Sequence, residues 1–539
     1  MKTVDTTLFG LLERAVEAFP ERDALVFPEV RLTYRELAER VEHRTRTLAS
    51  LGVAPGEHVG TIMPNGPDTI ELLLAISALG AVPVPFNPRY RGEELAYVVD
   101  HADVVTLLVR GEVAEGLDFA ERLSQALPEL EQVVDPTALE LEAAPALRRI
   151  ALLGEGERAG MLSSHHLDRS AAAVGPRPLE RPDTGDVGLM MYTSGTTARP
   201  KGALLSHRPF VLGGQALADR YELTSNDRLF DPLPLFHMAG ILGLAASLSR
   251  GASFLCMSKI EGGASLEMLV EERATVAFVG FPTLALSMIE HHDFDAGRLT
   301  DLRVMHTHGL PEVLRKIQRA LPDAVVQNPY GCTEAGGLVS LSELSDSLDD
   351  RVTYSGRPYP GVEVSVVAPT GDHLGAGELG ELVVRGWSLF EGYYRNPDAT
   401  AAVVDDDGWF HTGDLGELDA EGRIKYVSRL KDMLKVGGEN VAAAEIEDMM
   451  SEHPAVSVVQ VIGIPDERLD EVPAAFVELV PGADATEGEL LAFCDGRIAS
   501  FKVPRLVRIV DSWPMSATKI QKFRLKEGLL AELAVDAGA

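Results

Sequence analysis

The residues best suited to chemistry are gathered in the string YTSGTTARPKG at 192–202. The hydroxyls of Thr193, Ser194, Thr196 and Thr197 stand around Gly195, and Lys201 adds a positive charge. Such a loop lets backbone amides and side chains wrap a polyphosphate while the lysine neutralises it. The Gly-Lys-Ser/Thr ending of the P-loop hydrolases is missing, because Pro200 precedes Lys201 and Gly202 follows it. Further strings follow in order: PLPLFHMAG at 232–240, NPYGCTE at 328–334, DGWFHTGD at 407–414, SRLKD at 428–432, KVGGENV at 435–441 and PMSATKIQK at 514–522. Taken singly, each has a plainer reading. A lone His237 packs or caps, a Thr333-Glu334 pair caps a helix start, a Gly-Asp pair makes a turn, and Lys519, Lys522 or Arg524 is a solvated charge.

These strings must be positioned by an α/β framework. The chain has 539 residues, too many for one core, so at least two domains are expected. Helical periodicity at 35–51 and 68–79 alternates with apolar runs at 58–63 and 81–86, which predicts parallel strands with crossover helices. Alternation resumes over 202–323, with strands expected at 277–280 and 302–306. The stretch 111–186 has weak pattern, and its middle is read as a surface excursion. Glycines and prolines punctuate short strands at 362–367 and 380–385, which suggests a barrel-like β subdomain. Beyond residue 430 another unit is expected, with helices at 441–451 and 488–498 and strands at 456–462 and 474–479. The charged segment 428–432 marks the boundary.

Composition narrows the partners. Asp and Glu number 82 against 49 Lys and Arg, a net charge of −33. Nucleic acid and anionic membranes are poor partners for such a surface. A polyphosphate must then be held by local cations and amides. Cys256, Cys332 and Cys494 are too few and scattered for disulfides or zinc, which fits a reducing compartment. The first twenty residues read as an amphipathic helix rather than a signal peptide. The apolar run 239–248 is too short to span a bilayer. A cytoplasmic protein is expected.

The ordered strings resemble the adenylate-forming superfamily of acyl- and aryl-CoA synthetases, peptide-synthetase adenylation domains and luciferases, from Leu32 to Lys522. The acid–CoA ligase branch is the nearest likeness. The resemblance implies α/β architecture: an N-terminal domain, 1–430, of two doubly wound sheets plus a β-barrel, and a small mobile α+β cap, 431–539. It implies activation of a carboxylic acid by ATP as the acyl-AMP, loss of pyrophosphate, and transfer to coenzyme A with release of AMP. Thr193, Ser194, Gly195, Thr196, Thr197 and Lys201 then hold phosphates. Asn328 and Tyr330 meet adenine, Thr333 the α-phosphate, and Glu334 Mg²⁺. Asp414 takes the ribose hydroxyls and Arg429 the ribose and phosphate. Lys431 is the hinge. Lys435, Gly437 and Gly438 line the coenzyme A passage, where glycines let the pantetheine approach the backbone. Lys519 bridges carboxylate and α-phosphate, and the cap alternates between an adenylating and a thiol-transferring orientation. Small departures are Ala198 and Thr518 in place of glycine, and Ala442-Ala443 after Val441.

The largest departure is MHTHGLP at 305–311, where the family has a small glycine-rich turn. His306 and His308, two apart on a strand-like segment, face one side. They are either packed or one of them, His308, reads a polar group of the acid. A metal there lacks a third ligand. The acid pocket is expected from His237, Met238, Phe281, His308, Gly309 and Cys332. Their mixed surface suits an aromatic or short-to-medium acid better than a long fatty acid. Alternatives keep the adenylate but change the acceptor or substrate: a carrier-protein thiol, an amine, or nitrite as in ATP-dependent diazotases. A nucleotide-binding relic is the non-enzymatic alternative, and a monomer or homodimer is expected.

Overall fold

The computed structural model describes residues 6–114, 116–173, 182–193, 200–436, 439–466, 468–495, 497–515 and 520–538. Its first helix, Leu8–Ala18, starts where the Thr7 side chain accepts from Gly10 N, and it buries Leu8, Leu11, Leu12 and Ala15. The helix Tyr34–Ser50 opens with a full capping box between Thr33 and Glu36.

Two doubly wound sheets form the body. The larger has seven strands in the order Val325–Gln327, Val304–Thr307, Val276–Gly280, Arg228–Phe230, Ser253–Leu255, Asp23–Phe27 and Val30–Thr33. All its pairs are parallel except the terminal hairpin. Asp23–Phe27 therefore finds its parallel partner far along the chain, with Leu25 opposite Phe254. The smaller sheet is parallel throughout, in the order Val82–Pro85, His58–Ile62, Thr106–Arg110 and Arg149–Leu153.

That last strand corrects the reading of the middle of 111–186 as a surface excursion. The stretch supplies Arg149–Leu153, the helices Phe119–Ala126 and Ser164–Ala173, and the fully buried Phe119, Leu123, Leu127, Leu130 and Leu147. Its apolar residues are spaced irregularly between Glu and Arg, so no single period reveals them.

The glycine-punctuated region forms an antiparallel four-stranded sheet, Val362–Val367, Gly380–Gly386, Phe410–Leu418 and Ile424–Arg429. A further antiparallel sheet holds Val187–Thr193 and Lys201–Ser206 as neighbours, with Thr193 opposite Lys201. The hydroxyl-rich string thus lies between two paired strands. No helix N-terminus follows it directly, so its own amides and side chains have to meet any anion.

The C-terminal unit is a mixed five-stranded sheet built on the hairpin Val456–Asp466 and Asp470–Leu479, with Leu506–Ile509 parallel to the latter. The helices Ala443–Ser451 and Glu487–Cys494 lie beside a separate core of Leu434, Val441, Ile446, Val459, Val477 and Leu490. The strand Glu439–Ala442 replaces the first residues of the helix expected from 441. Among the described residues no helix is long and apolar enough to cross a membrane.

Candidate active site

Strand register creates the first half of the site. Asp414 lies directly opposite Arg429 on the neighbouring strand. Arg429 Nε stands 2.8 Å from Asp414 Oδ1, and the Tyr330 hydroxyl donates to Oδ2 at 2.8 Å. Asp414 is 2% exposed, so its carboxylate needs these partners. Arg429 also donates to the Thr412 carbonyl at 2.9 Å. Burial is the largest single influence and works against the Arg429 charge, but Asp414, with smaller help from Cys332, Tyr426 and Tyr330, outweighs it and holds the guanidinium protonated. Burial pushes the Tyr330 phenol well up, and Asp414 adds to the effect. The hydroxyl is therefore a permanent donor. Asn328, the residue just before this tyrosine's strand, is buried, and its side-chain oxygen has no partner among the described residues.

The second half is gathered around Glu334. A short turn, Thr333–Ala335, carries it in place of a full helix start. Its Oε1 accepts from the Tyr393 hydroxyl at 2.9 Å and from Thr193 Oγ1 at 3.4 Å. Lys201 Nζ lies 5.0 Å from the centre of the Tyr393 ring, a cation–π distance. The turn closes through Gly336, whose φ of +77° favours glycine and where a Cβ would meet the Ser388 carbonyl at 2.5 Å. One carboxylate beside hydroxyls is a donor set that suits Mg²⁺, which takes its remaining ligands from water and phosphate.

The expected acid pocket divides. His237 precedes the buried helix Met238–Arg250, its ring 4.9 Å from that of Phe236. Met238 and Leu242 of that helix crowd Gly337, where a Cβ would fall 2.9 Å and 2.7 Å from them. Phe281 precedes the helix Pro282–Ile289, and Gly309 lies close to Pro282 and Leu314. His308 N donates to the Gly280 carbonyl at 3.1 Å. Its exposed ring stands edge-on to Tyr426 at 6.1 Å, and Tyr426 in turn lies 6.1 Å from Tyr330 at 28°.

His306 and His308 do not share a role. His306 is fully buried, 2.6 Å from the Tyr221 hydroxyl, with its ring centre 4.0 Å from that of Phe278 at a 38° tilt. Burial, assisted by His308, depresses it to about 3, so it is a neutral core residue. The strand ends at Thr307, so the alternation that paired the two histidines stops before His308. Among the described residues the one trio of metal-ligating side chains is His291, His292 and Asp293, away from this turn.

Ser194, Gly195, Thr196, Thr197, Gly437, Gly438 and Lys519 lie outside the described residues, as does the side chain of Lys431. Lys435 is exposed. Two residues were missed from the sequence, Tyr393 and Tyr426. Tyr426 stands on the strand of Arg429, and Tyr393 pairs opposite Ala203 beside the hydroxyl string. Their signal was only a tyrosine in a strand.

Cys332 is pushed up to about 12 by burial, reinforced by the Glu334 and Asp414 carboxylates against Arg429. Burial raises Cys494 to about 11 and Cys256 well above its usual range. At pH 8 the thiolate fraction of Cys332 is then on the order of 10⁻⁴. We expect the native chain to resist iodoacetamide at pH 8 about a thousandfold better than a free thiol, by intact mass. Rapid labelling of Cys332 before unfolding contradicts this geometry.

The sequence compares with known proteins over nearly all of its length. It matches the AMP-binding enzyme profile over residues 12–394 and the AMP-binding enzyme C-terminal domain profile over residues 445–519. A (methyl-dioxo-octahydro-indenyl)propanoyl:CoA ligase of Rhodococcus jostii is 36% identical over 533 residues, covering 97% of this chain and 98% of the other. The mitochondrial medium-chain acyl-CoA ligase ACSF2 of Mus musculus is 32% identical over 548 residues, covering 97% and 88%. The crystal structure of the anthranilate CoA ligase AuaEII with anthranoyl-AMP superposes with a TM-score of 0.87 at 26% identity, covering 99% and 98%. The carboxylate–guanidinium pair, the phenol beside it and the hydroxyl-rich hairpin are thus features of a chain that belongs to the AMP-binding enzyme family.

Proposed function

We propose that the Asp414–Arg429–Tyr330 triangle is the nucleotide seat of an AMP-forming acid–CoA ligase. The chain activates a carboxylic acid with ATP and passes the acyl group to coenzyme A. The observation that carries the placement is that buried pair, set on facing strands. Asp414 accepts from the ribose hydroxyls while Arg429 reaches toward phosphate. Asn328 and Tyr330 frame the adenine. Thr193, Ser194, Gly195, Thr196, Thr197 and Lys201 hold the phosphates, and Thr333 donates to the α-phosphate.

In the first step a carboxylate oxygen attacks the α-phosphorus, and the bond to pyrophosphate breaks. Negative charge grows on the phosphoryl oxygens, and Lys201, Thr333 and Lys519 meet it. Glu334, held by Tyr393 and Thr193, is the residue that fits Mg²⁺, which when bound neutralises phosphate charge. In the second step the coenzyme A sulfur attacks the acyl carbon, and AMP leaves. His237, Met238, Phe281, His308, Gly309 and Cys332 line the acid. An aromatic or short-to-medium acid suits their mixed surface.

Residues 1–430 form the ATP- and acid-binding domain and 431–539 the cap, pivoting at Lys431. The arrangement favours the adenylating orientation. Arg524, just past Lys519, lies near enough to Glu94 of the large domain to oppose the burial that raises that carboxyl. Lys435, on the coenzyme A side, is exposed.

The test is pyrophosphate release with hexanoate, octanoate, benzoate and anthranilate, with and without coenzyme A. Acid-dependent release that coenzyme A accelerates, with acyl-CoA formed, supports the reading. AMP formation that coenzyme A never accelerates overturns it in favour of another acceptor.

A further inference from the structure

The segment that delivers His237 to the site runs PLPLFH over 232–237. Pro232 and Pro234 carry no N–H, so the stretch cannot complete a sheet ladder. Residues 232–235 are buried, and their main-chain groups still require partners. Leu233 N donates to Asp231 Oδ1 at 3.0 Å, and His237 N donates to the Pro234 carbonyl at 3.0 Å. Three more of these groups fall to one side chain. Asn65 Oδ1 accepts from Leu235 N at 2.9 Å, while Asn65 Nδ2 donates to the carbonyls of Pro232 at 3.1 Å and Leu233 at 3.0 Å.

Asn65 does not belong to this part of the molecule. It follows the strand His58–Ile62 of the smaller sheet, whereas the segment follows Arg228–Phe230 of the larger one. One amide therefore joins the carboxyl ends of two sheets, the end at which open α/β sheets bind ligands. It is 9% exposed and uses both its donor and its acceptor, so its orientation is fixed by the pattern of bonds.

The held segment is in turn packed against the helix it leads into. A Cβ at Gly240 would lie 2.8 Å from the Pro234 carbonyl oxygen and 2.9 Å from that of Leu233. A Cβ at Gly243 would lie 2.0 Å from Asp231 Oδ2. Movement of 232–235 is thereby transmitted to His237, Met238 and the wall against Gly337.

We infer that Asn65 is a positioning residue for the acid: its three hydrogen bonds to the 232–235 backbone set where His237 and Met238 stand. The inference rests on the acid-pocket reading above. It assigns Asn65 no contact with ATP, so loss of the clamp changes acid handling and spares nucleotide handling.

The experiment uses the full chain with Asn65→Ala and Asn65→Asp. The aspartate keeps the acceptor for Leu235 N but sets an oxygen against two carbonyl oxygens. Steady-state pyrophosphate release with octanoate and benzoate is measured beside amide hydrogen exchange of the peptides spanning 232–240. Both variants are expected to raise the acid KM about tenfold or more, a displacement of order 1 Å being enough, with ATP KM within about twofold. Exchange over 232–240 rises, and exchange elsewhere does not. A role in global stability alone would lower the active fraction, cutting kcat with both KM values unchanged, and that result overturns the inference. Unchanged exchange over 232–240 in Asn65→Ala also overturns it, and needs no substrate. If the parent chain releases no pyrophosphate with any acid while exchange still rises in the variants, the ligase reading falls and the clamp stands.

Discussion

Lys519→Ala is expected to slow acyl-adenylate formation by about 10²–10³-fold, the usual effect of removing a group aimed at developing charge. Conversion of a supplied acyl-adenylate to the thioester should stay close to the parent rate. Lys519 is assigned from its motif, but the described residues on either side show how its segment is anchored. Met515 bridges to Ile520, and Gln521 N donates to the Pro514 carbonyl at 2.8 Å. Lys522 Nζ then pairs with Glu447 Oε1 at 2.6 Å, and Glu447 also accepts from Val461 N at 2.7 Å. Lys522 is thus a structural anchor rather than the solvated surface charge read from sequence. The described residues that follow Lys519 are tied to the helix Ala443–Ser451 and the strand Val456–Asp466 of the C-terminal unit. Both half-reactions are to be followed separately, by pyrophosphate release and by acyl-CoA formation from synthetic acyl-AMP. Equal loss in the two contradicts a lysine that serves adenylation alone.

Asp414→Ala should be the second severe change, acting on both stability and nucleotide binding. Removing the carboxylate leaves Arg429 without its strongest partner and the Tyr330 hydroxyl without its acceptor. Breaking a fully buried pair costs about 3–5 kcal/mol. Here the Arg429 side chain is 36% exposed, so solvent screening reduces the expected loss to about 1–2 kcal/mol. The ATP KM should rise about a hundredfold, because a charged ribose contact is lost. The double variant Asp414→Ala/Arg429→Ala separates the two effects. Thermal unfolding should recover part of the lost stability, since no uncompensated charge remains, while ATP affinity should not recover. Recovery of both would mean that neither Asp414 nor Arg429 contacts the nucleotide, and would overturn the placement.

Much of this site could be read from the sequence because its parts are strings with local chemistry. Asp414 and Arg429 each stood in a recognisable motif, and the structure added only that they face each other across a strand pair. The parallel strands at 58–62 and 276–280 were evident from apolar runs between amphipathic helices. Contacts made by single residues remote in sequence were not evident. Tyr393 touches Glu334 from 59 positions away, and Asn65 meets Leu235 from 170. Nothing in the period of a strand or helix marks such a residue. His306 shows the opposite failure: its spacing from His308 was genuine, but a strand that ends one residue early removed the shared face. The stretch 111–186 was underestimated because its core positions follow turns rather than a regular repeat.

The sheet order also bears on how the chain is made. Asp23–Phe27 leaves the ribosome among the first strands but has Ser253–Leu255 as its parallel neighbour, more than two hundred residues later. At translation rates of about 5–20 residues per second, that partner arrives roughly ten to fifty seconds afterwards. During that interval the early hairpin Asp23–Phe27 and Val30–Thr33 presents an unpaired apolar edge, the kind that recruits other strands. The nascent chain therefore passes through a long window of vulnerability to aggregation. Its length is set by where in the message the partner strand Ser253–Leu255 is encoded.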